Sequence, residues 1–288
     1  MTDHVAPRAR AVVFATVFAL VAFASNSILC RLALRTGRID PASFTLVRIA
    51  SGAMMLAAIA ILGRRRGGQR RTRAGWTSAL FLYLYAIAFS FSYLSLSAGT
   101  GALILFGCVQ TTMLVAALRA GERPRRAEWL GLVVAVAGLF YLVLPGLAAP
   151  SPVGAALMAT AGVAWGFYSL RGRGSHDPLA DTARNFLCAL PFALATSLAL
   201  FARVHATRHG VLLAVASGAL SSGIGYVIWY AALRGLSATR AATVQLSVPI
   251  IAAYGGIVFL GEILTTRLVV AAAMILGGVG LALAARRR

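Results

Sequence analysis

Ten apolar runs, each about as long as a bilayer is thick, take up nearly all of this 288-residue chain. Their approximate limits are 10 to 33, 41 to 62, 74 to 96, 99 to 118, 127 to 145, 152 to 171, 179 to 201, 209 to 233, 238 to 260 and 266 to 285. Lipid offers a backbone amide no hydrogen-bond partner, so an apolar run of about 20 residues has one solution there, the α-helix. The breaks between runs are short and leave no room for a soluble domain. The expected fold is an all-α integral membrane protein of ten transmembrane helices. With 60% hydrophobic and 12% charged residues, the chain carries too little charge for an ordinary soluble domain.

The net charge of +20 does not point to nucleic acid. A nucleic-acid groove gathers its basic residues on one face, whereas these arginines lie in the short breaks between apolar runs. Their distribution sets the orientation instead. With the N-terminus inside, nineteen arginines fall on inside segments, five on outside segments (Arg35, Arg38, Arg203, Arg208, Arg267) and three (Arg31, Arg48, Arg184) within spans. The positive-inside rule therefore places both termini in the cytoplasm. The first run is longer than a signal-peptide core and has no evident cleavage site, so it is expected to be retained. Cys30, Cys108 and Cys188 all lie in apolar runs and read as small core residues.

The chain also repeats itself. Ser97-Ala98 and Gly121-Glu122 bracket one stretch, and Ser237-Ala238 and Gly261-Glu262 bracket another at a constant offset of 140 residues. Asp40-Pro41 precedes Arg48, and Asp177-Pro178 precedes Arg184 with one residue less between. Asp can cap a helix and Pro fits its first turn, so each pair is expected to open a helix. The uncharged stretch from Pro145 to Pro152 divides the chain into residues 1–148 and 149–288, five spans each. An odd number of spans turns the second copy upside down, and inverted repeats are the usual build of alternating-access carriers.

Ten spans, five-helix halves, the Asp-Pro…Arg entry to the second helix and Leu260-Gly261-Glu262 at the end of the ninth span resemble the drug/metabolite transporter superfamily, within it the proteins of two EamA domains. Arrangement and size are most similar to the YddG-type exporters of aromatic amino acids. The resemblance implies a basket of helices around a central cavity, spans five and ten at the periphery, and export of amino acids or related metabolites across a bacterial inner membrane. One departure stands out. Pro249 occupies the fourth helix of the second copy, but its counterpart is Val109, followed by Gln110.

Polar groups at membrane depth must face other helices or an aqueous cavity. Asn26, Gln110 and Gln245 are candidates to line that cavity, since an amide both donates and accepts. Tyr83 and Ser90 share a face of span three with Tyr93. Ser222, Tyr226, Trp229 and Tyr230 do so on span eight, and Trp165 and Tyr168 lie near the middle of span six. Such rings can cage a planar or apolar side chain. Arg48 and Arg184 hold similar positions in the two halves, which favours a structural role for both. Gly225 and Pro249 are candidate bending points.

None of the seven acidic residues lies in the middle of a span, although proton-driven carriers usually place a titratable group there. Facilitated movement or exchange is therefore expected. No Walker A, GxSxG, HExxH or CxxC motif is present, so neither an enzyme nor a metal or other cofactor is expected. The expected function is export of aromatic or broadly neutral amino acids, by a chain expected to act as a monomer whose partners are a small-molecule substrate and the bilayer. The alternatives are a drug or metabolite exporter of the same fold, a channel, and an intramembrane enzyme, the last lacking a catalytic cluster.

Overall fold

The computed structural model describes residues 5–62, 75–121, 126–146, 149–172, 175, 177–233, 235–236 and 238–285, with only the backbone of 5–9, 238–240 and 242. These residues form α1 (Val5–Arg35), α2 (Pro41–Leu62), α3 (Trp76–Ser92), α4 (Ala98–Arg119), α5 (Arg126–Val143), α6 (Pro152–Gly172), α7 (Pro178–Ala199), α8 (Arg208–Val215), α9 (Gly225–Leu233), α10 (Ala238–Gln245), α11 (Val248–Leu260) and α12 (Thr266–Ala285). A π-helical stretch, Ala216–Ile224, joins α8 to α9. Ten spans result, the eighth made of α8, the π stretch and α9, the ninth of α10 and α11.

The two composite spans differ from the single helices that the sequence predicts, and each break has a cause. Pro249 has no N–H for the Gln245 carbonyl, the i−4 partner in a continuous helix. The ninth span stops at Gln245, turns through Leu246 and Ser247, and restarts with Pro249 in the first turn of α11. Val109 in the first copy has an N–H to give, and α4 runs unbroken. The π stretch packs tightly on α2: a Cβ at Gly218 would run into the Arg48 carbonyl oxygen and Ser51 Oγ.

Both Asp-Pro pairs open helices. Asp40 accepts hydrogen bonds from the Ala42 and Ser43 amides, and Asp177 accepts one from Ala180. The inversion is visible where the fourth helix of one copy meets that of the other. The N-terminus of α4 abuts the C-terminus of α11, with the Ala98 amide donating to Glu262 Oε2 at 2.8 Å. Gly121 and Gly261, matched in the repeat, both take positive φ (87° and 62°) at opposite ends of the bundle. Glu122 lies outside the described residues. The fifth and tenth spans, α5 and α12, pack on each other through Gly131, Gly138 and Gly278. They turn Trp129, Leu130, Phe140 and Val269 outward, as a lipid-facing surface requires.

Candidate functional site

A cavity of about 390 Å³ lies in the bundle, lined from α1, α3, α4, α6, α7 and α9, with Gln245 at the end of α10. Its wall is aromatic. Trp165 on α6 has ring centroids at 4.7 Å from Tyr85, 5.2 Å from Tyr168 and 5.6 Å from Tyr226. Phe23 meets Tyr226 and Trp229 edge-on at 5.8 and 5.7 Å. Spacings of three and four residues, Trp165 with Tyr168 and Tyr226 with Trp229 and Tyr230, bring these rings onto single helix faces.

Polar groups interrupt the wall at a few points. Asn26 Oδ1 accepts from Ser217 Oγ at 2.8 Å and from Ser222 Oγ at 3.5 Å. The i→i+5 bonding of the π stretch lets two serines five residues apart reach one acceptor. Toward the end where α6 joins α7, Ser175 donates to Asp181 Oδ2 at 2.6 Å, Thr182 and Tyr230 share a 3.2 Å hydrogen bond, and Arg171 Nε donates to Ser78 Oγ at 3.1 Å. All of these residues line the cavity, so it reaches that end of the bundle.

The opposite end is tied together. Gly261 turns the chain in the left-handed region and places the Glu262 carboxylate on the Ala98 amide and 3.4 Å from Arg31 Nε. Arg31 Nη1 also donates to the carbonyls of Tyr93 and Leu94, and Arg35 Nη1 donates to that of Leu260. Beside them Asp40 takes the His205 amide at 3.0 Å, joining the α1–α2 loop to the chain before α8. Burial acts to raise the Asp40 carboxyl, but hydrogen bonds from Ser43 and His205 outweigh it and hold the group below the usual carboxylate range.

Arg48 stands one layer behind the cavity wall. It is 2% exposed, its Nη2 donates to Tyr85 Oη at 2.9 Å, and its guanidinium carbon lies 4.9 Å from the Phe89 ring centroid. Arg184 is exposed instead. The single residue missing between Asp177 and Arg184 explains the difference, because one residue turns a helix by about 100°. Counted from the capping aspartates, the position of α7 matching Arg48 is Asn185, which is buried and lines the cavity.

Of the nine residues expected around a substrate, Asn26, Trp165, Tyr168, Tyr226, Trp229 and Gln245 line the cavity. Tyr83 points elsewhere, its hydroxyl bonded to Thr196 and its ring on Phe192. Ser90 is spent on a tie between helices, accepting from Thr45 Oγ1 at 2.8 Å. Gln110 is half-buried on α4, outside the lining. Gly225 opens α9 directly after the π stretch, where a Cβ would meet Ala22 at 3.0 Å. Sequence reasoning missed Tyr85, Phe89, Thr182 and Asn185 as lining residues. A four-residue spacing on α3 was the available signal for the first pair.

A bundle of ten apolar spans around a cavity that reaches one end and is tied shut at the other has the build of a membrane carrier. The chain belongs to the EamA-like transporter family, matching it over residues 10–144 and again over 152–284. These two matches span the drug/metabolite transporter architecture, and the chain is a multi-pass membrane transporter rather than an enzyme. It is 50% identical over 271 residues to Uncharacterized protein PA1977 of Pseudomonas aeruginosa, covering 94% of each chain. It is 28% identical over 191 residues to the threonine/homoserine exporter RhtA of Salmonella typhimurium, covering 62% of this chain and 61% of that one. A solved crystal structure of 20% identity aligns over 96% of this chain and 99% of its own, with a TM-score of 0.65, and shares the fold.

Proposed function

We propose that this protein exports neutral amino acids, aromatic ones foremost, across a bacterial inner membrane by alternating access. One observation carries the reading: the cavity is walled by Trp165, Tyr85, Tyr168, Tyr226 and Trp229, yet holds the amides of Asn26, Asn185 and Gln245. Rings bind an apolar or planar side chain, and neutral amides suit a zwitterion without imposing charge. The name of RhtA, an exporter of amino acids, supports the same substrate class. With the arginine-rich ends of the spans inside, the open end faces the cytoplasm and the Arg31–Glu262 end faces outward, the state in which an exporter loads. The cavity's acid, Asp181, sits in the first turn of α7 rather than at mid-membrane, so movement is facilitated rather than tightly coupled to protons.

Uptake of radiolabelled phenylalanine, tryptophan, leucine and threonine into proteoliposomes tests this directly. Saturable, mutually competitive flux is expected, with accumulation not exceeding equilibrium under an imposed pH gradient. Unsaturable flux would make the protein a channel, and strong uphill accumulation driven by the pH gradient would establish proton coupling.

A further inference from the structure

Arg48 presents a physical problem that the rest of the bundle leaves unsolved. A guanidinium buried at membrane depth is tolerated when its charge and its donors are answered. The partners that surround Arg48 are hydroxyls and aromatic rings rather than a carboxylate, in contrast to Arg31, which pairs with Glu262 at the closed end. Its Nη2 is held by Tyr85 Oη at 2.9 Å and, at the limit, by Ser222 Oγ at 3.5 Å. Its Nη1 is buried and has no hydrogen-bond partner among the described residues. The rings of Tyr85 and Phe89, at 5.3 and 4.9 Å, supply cation–π contact but no acceptor for that N–H.

Three features tie this unanswered donor to the cavity. Tyr85 and Phe89, the two side chains that hold Arg48, both line it, as does Asn26, which shares Ser222 with Arg48. The position of α7 at the same distance from its capping aspartate is Asn185, also on the lining, and its Oδ1 is likewise buried without a hydrogen-bond partner among the described residues. The two register-matched positions of the inverted halves thus carry different chemistry, one cationic donor and one neutral acceptor. A purely architectural arginine gives no reason for that asymmetry.

We propose that Arg48 is the anchor for a substrate carboxylate, its guanidinium advancing past Tyr85 to give Nη1 and a second N–H to the two carboxylate oxygens. The planar fork of Arg matches a carboxylate in this way. The substrate class is thereby narrowed to monocarboxylates bearing an apolar or aromatic body. This rests on the carrier reading above but can fail separately from it.

The test measures equilibrium binding to the purified wild-type protein, by tryptophan fluorescence, of phenylalanine, phenylalaninamide, 3-phenylpropionate and 2-phenylethylamine. Phenylalanine and 3-phenylpropionate are expected to bind about 10- to 100-fold more tightly than the two compounds without a carboxylate, the range for one hydrogen-bonded charge. Arg48→Gln should abolish that preference, and Arg48→Lys should restore part of it. Equal affinity for phenylalanine and 2-phenylethylamine overturns the anchor and leaves amino-acid transport standing. Binding of 3-phenylpropionate without phenylalanine overturns the amino-acid reading and leaves the anchor standing, and binding of none of the four overturns both. Should Arg48→Gln fail to fold, the wild-type panel decides alone.

Discussion

Trp165 joins three tyrosines, and its loss exposes what the cavity wall does. Trp165→Ala removes the ring that bridges Tyr85, Tyr168 and Tyr226, and KM for an aromatic amino acid in proteoliposomes should rise about tenfold, the scale for a buried aromatic anchor. Tyr83→Phe should leave KM within about twofold, because its hydroxyl serves Thr196 and its ring serves Phe192. Unchanged affinity and rate in both Trp165→Ala and Gln245→Ala would remove the cavity assignment. The choice between Tyr83 and Tyr85 shows how far single residues can be read from sequence. Periodicity finds the faces of α3, but both of its faces carry aromatics, and only packing against α6 and α7 decides which one turns inward. Aspartate caps at Asp40 and Asp177 were legible because they depend on four consecutive residues alone.

At the level of elements, small residues separate into those that join helices and those that do not. A Cβ at Gly278 would meet the Gly131 carbonyl oxygen at 2.5 Å and the Ala135 amide at 2.7 Å, both backbone atoms that cannot move aside unless α5 and α12 part. Gly277, its neighbour, has nothing within 4 Å. Gly278→Ala should therefore lower the apparent melting temperature in detergent by roughly 5 °C, the overpacking scale for a chain of this size, while Gly277→Ala leaves it unchanged or raised. Gly277, Gly278 and Gly280 fall within four consecutive residues, and nothing in their order along the chain separates the one that joins helices from the others. Helix limits were accessible because Asp-Pro openers and apolar length set them. The π stretch was not, since the hydrogen-bond shift from i→i+4 to i→i+5 answers a neighbour, α2, that lies far off in the chain. The break at Gln245 follows from one proline, and its absence from α4 follows from Val109.

For the molecule as a whole, the Glu262 carboxylate is the point where α1, α4 and α11 meet at the closed end. Glu262→Gln keeps the size of the side chain and weakens both its hold on Arg31 and its acceptance of the Ala98 amide. Cys30, next to Arg31 and fully buried, reports on that end. In cells, labelling of Cys30 by a membrane-impermeant maleimide should increase several-fold in the variant, with Cys108 and Cys188 unchanged. Unaltered labelling would mean that the closed end is held by packing and not by this ion pair. Duplication and inversion were readable from the 140-residue offset and the span count, because they are properties of order along the chain. Which end stood open was not, since it depends on side chains brought together from across both copies. The one-residue difference between the two Asp-Pro…Arg segments carries a last consequence. Losing a single codon swings an entire helical face about its axis, so different residues can be brought to the cavity, and a new cargo preference can arise, without any point substitution.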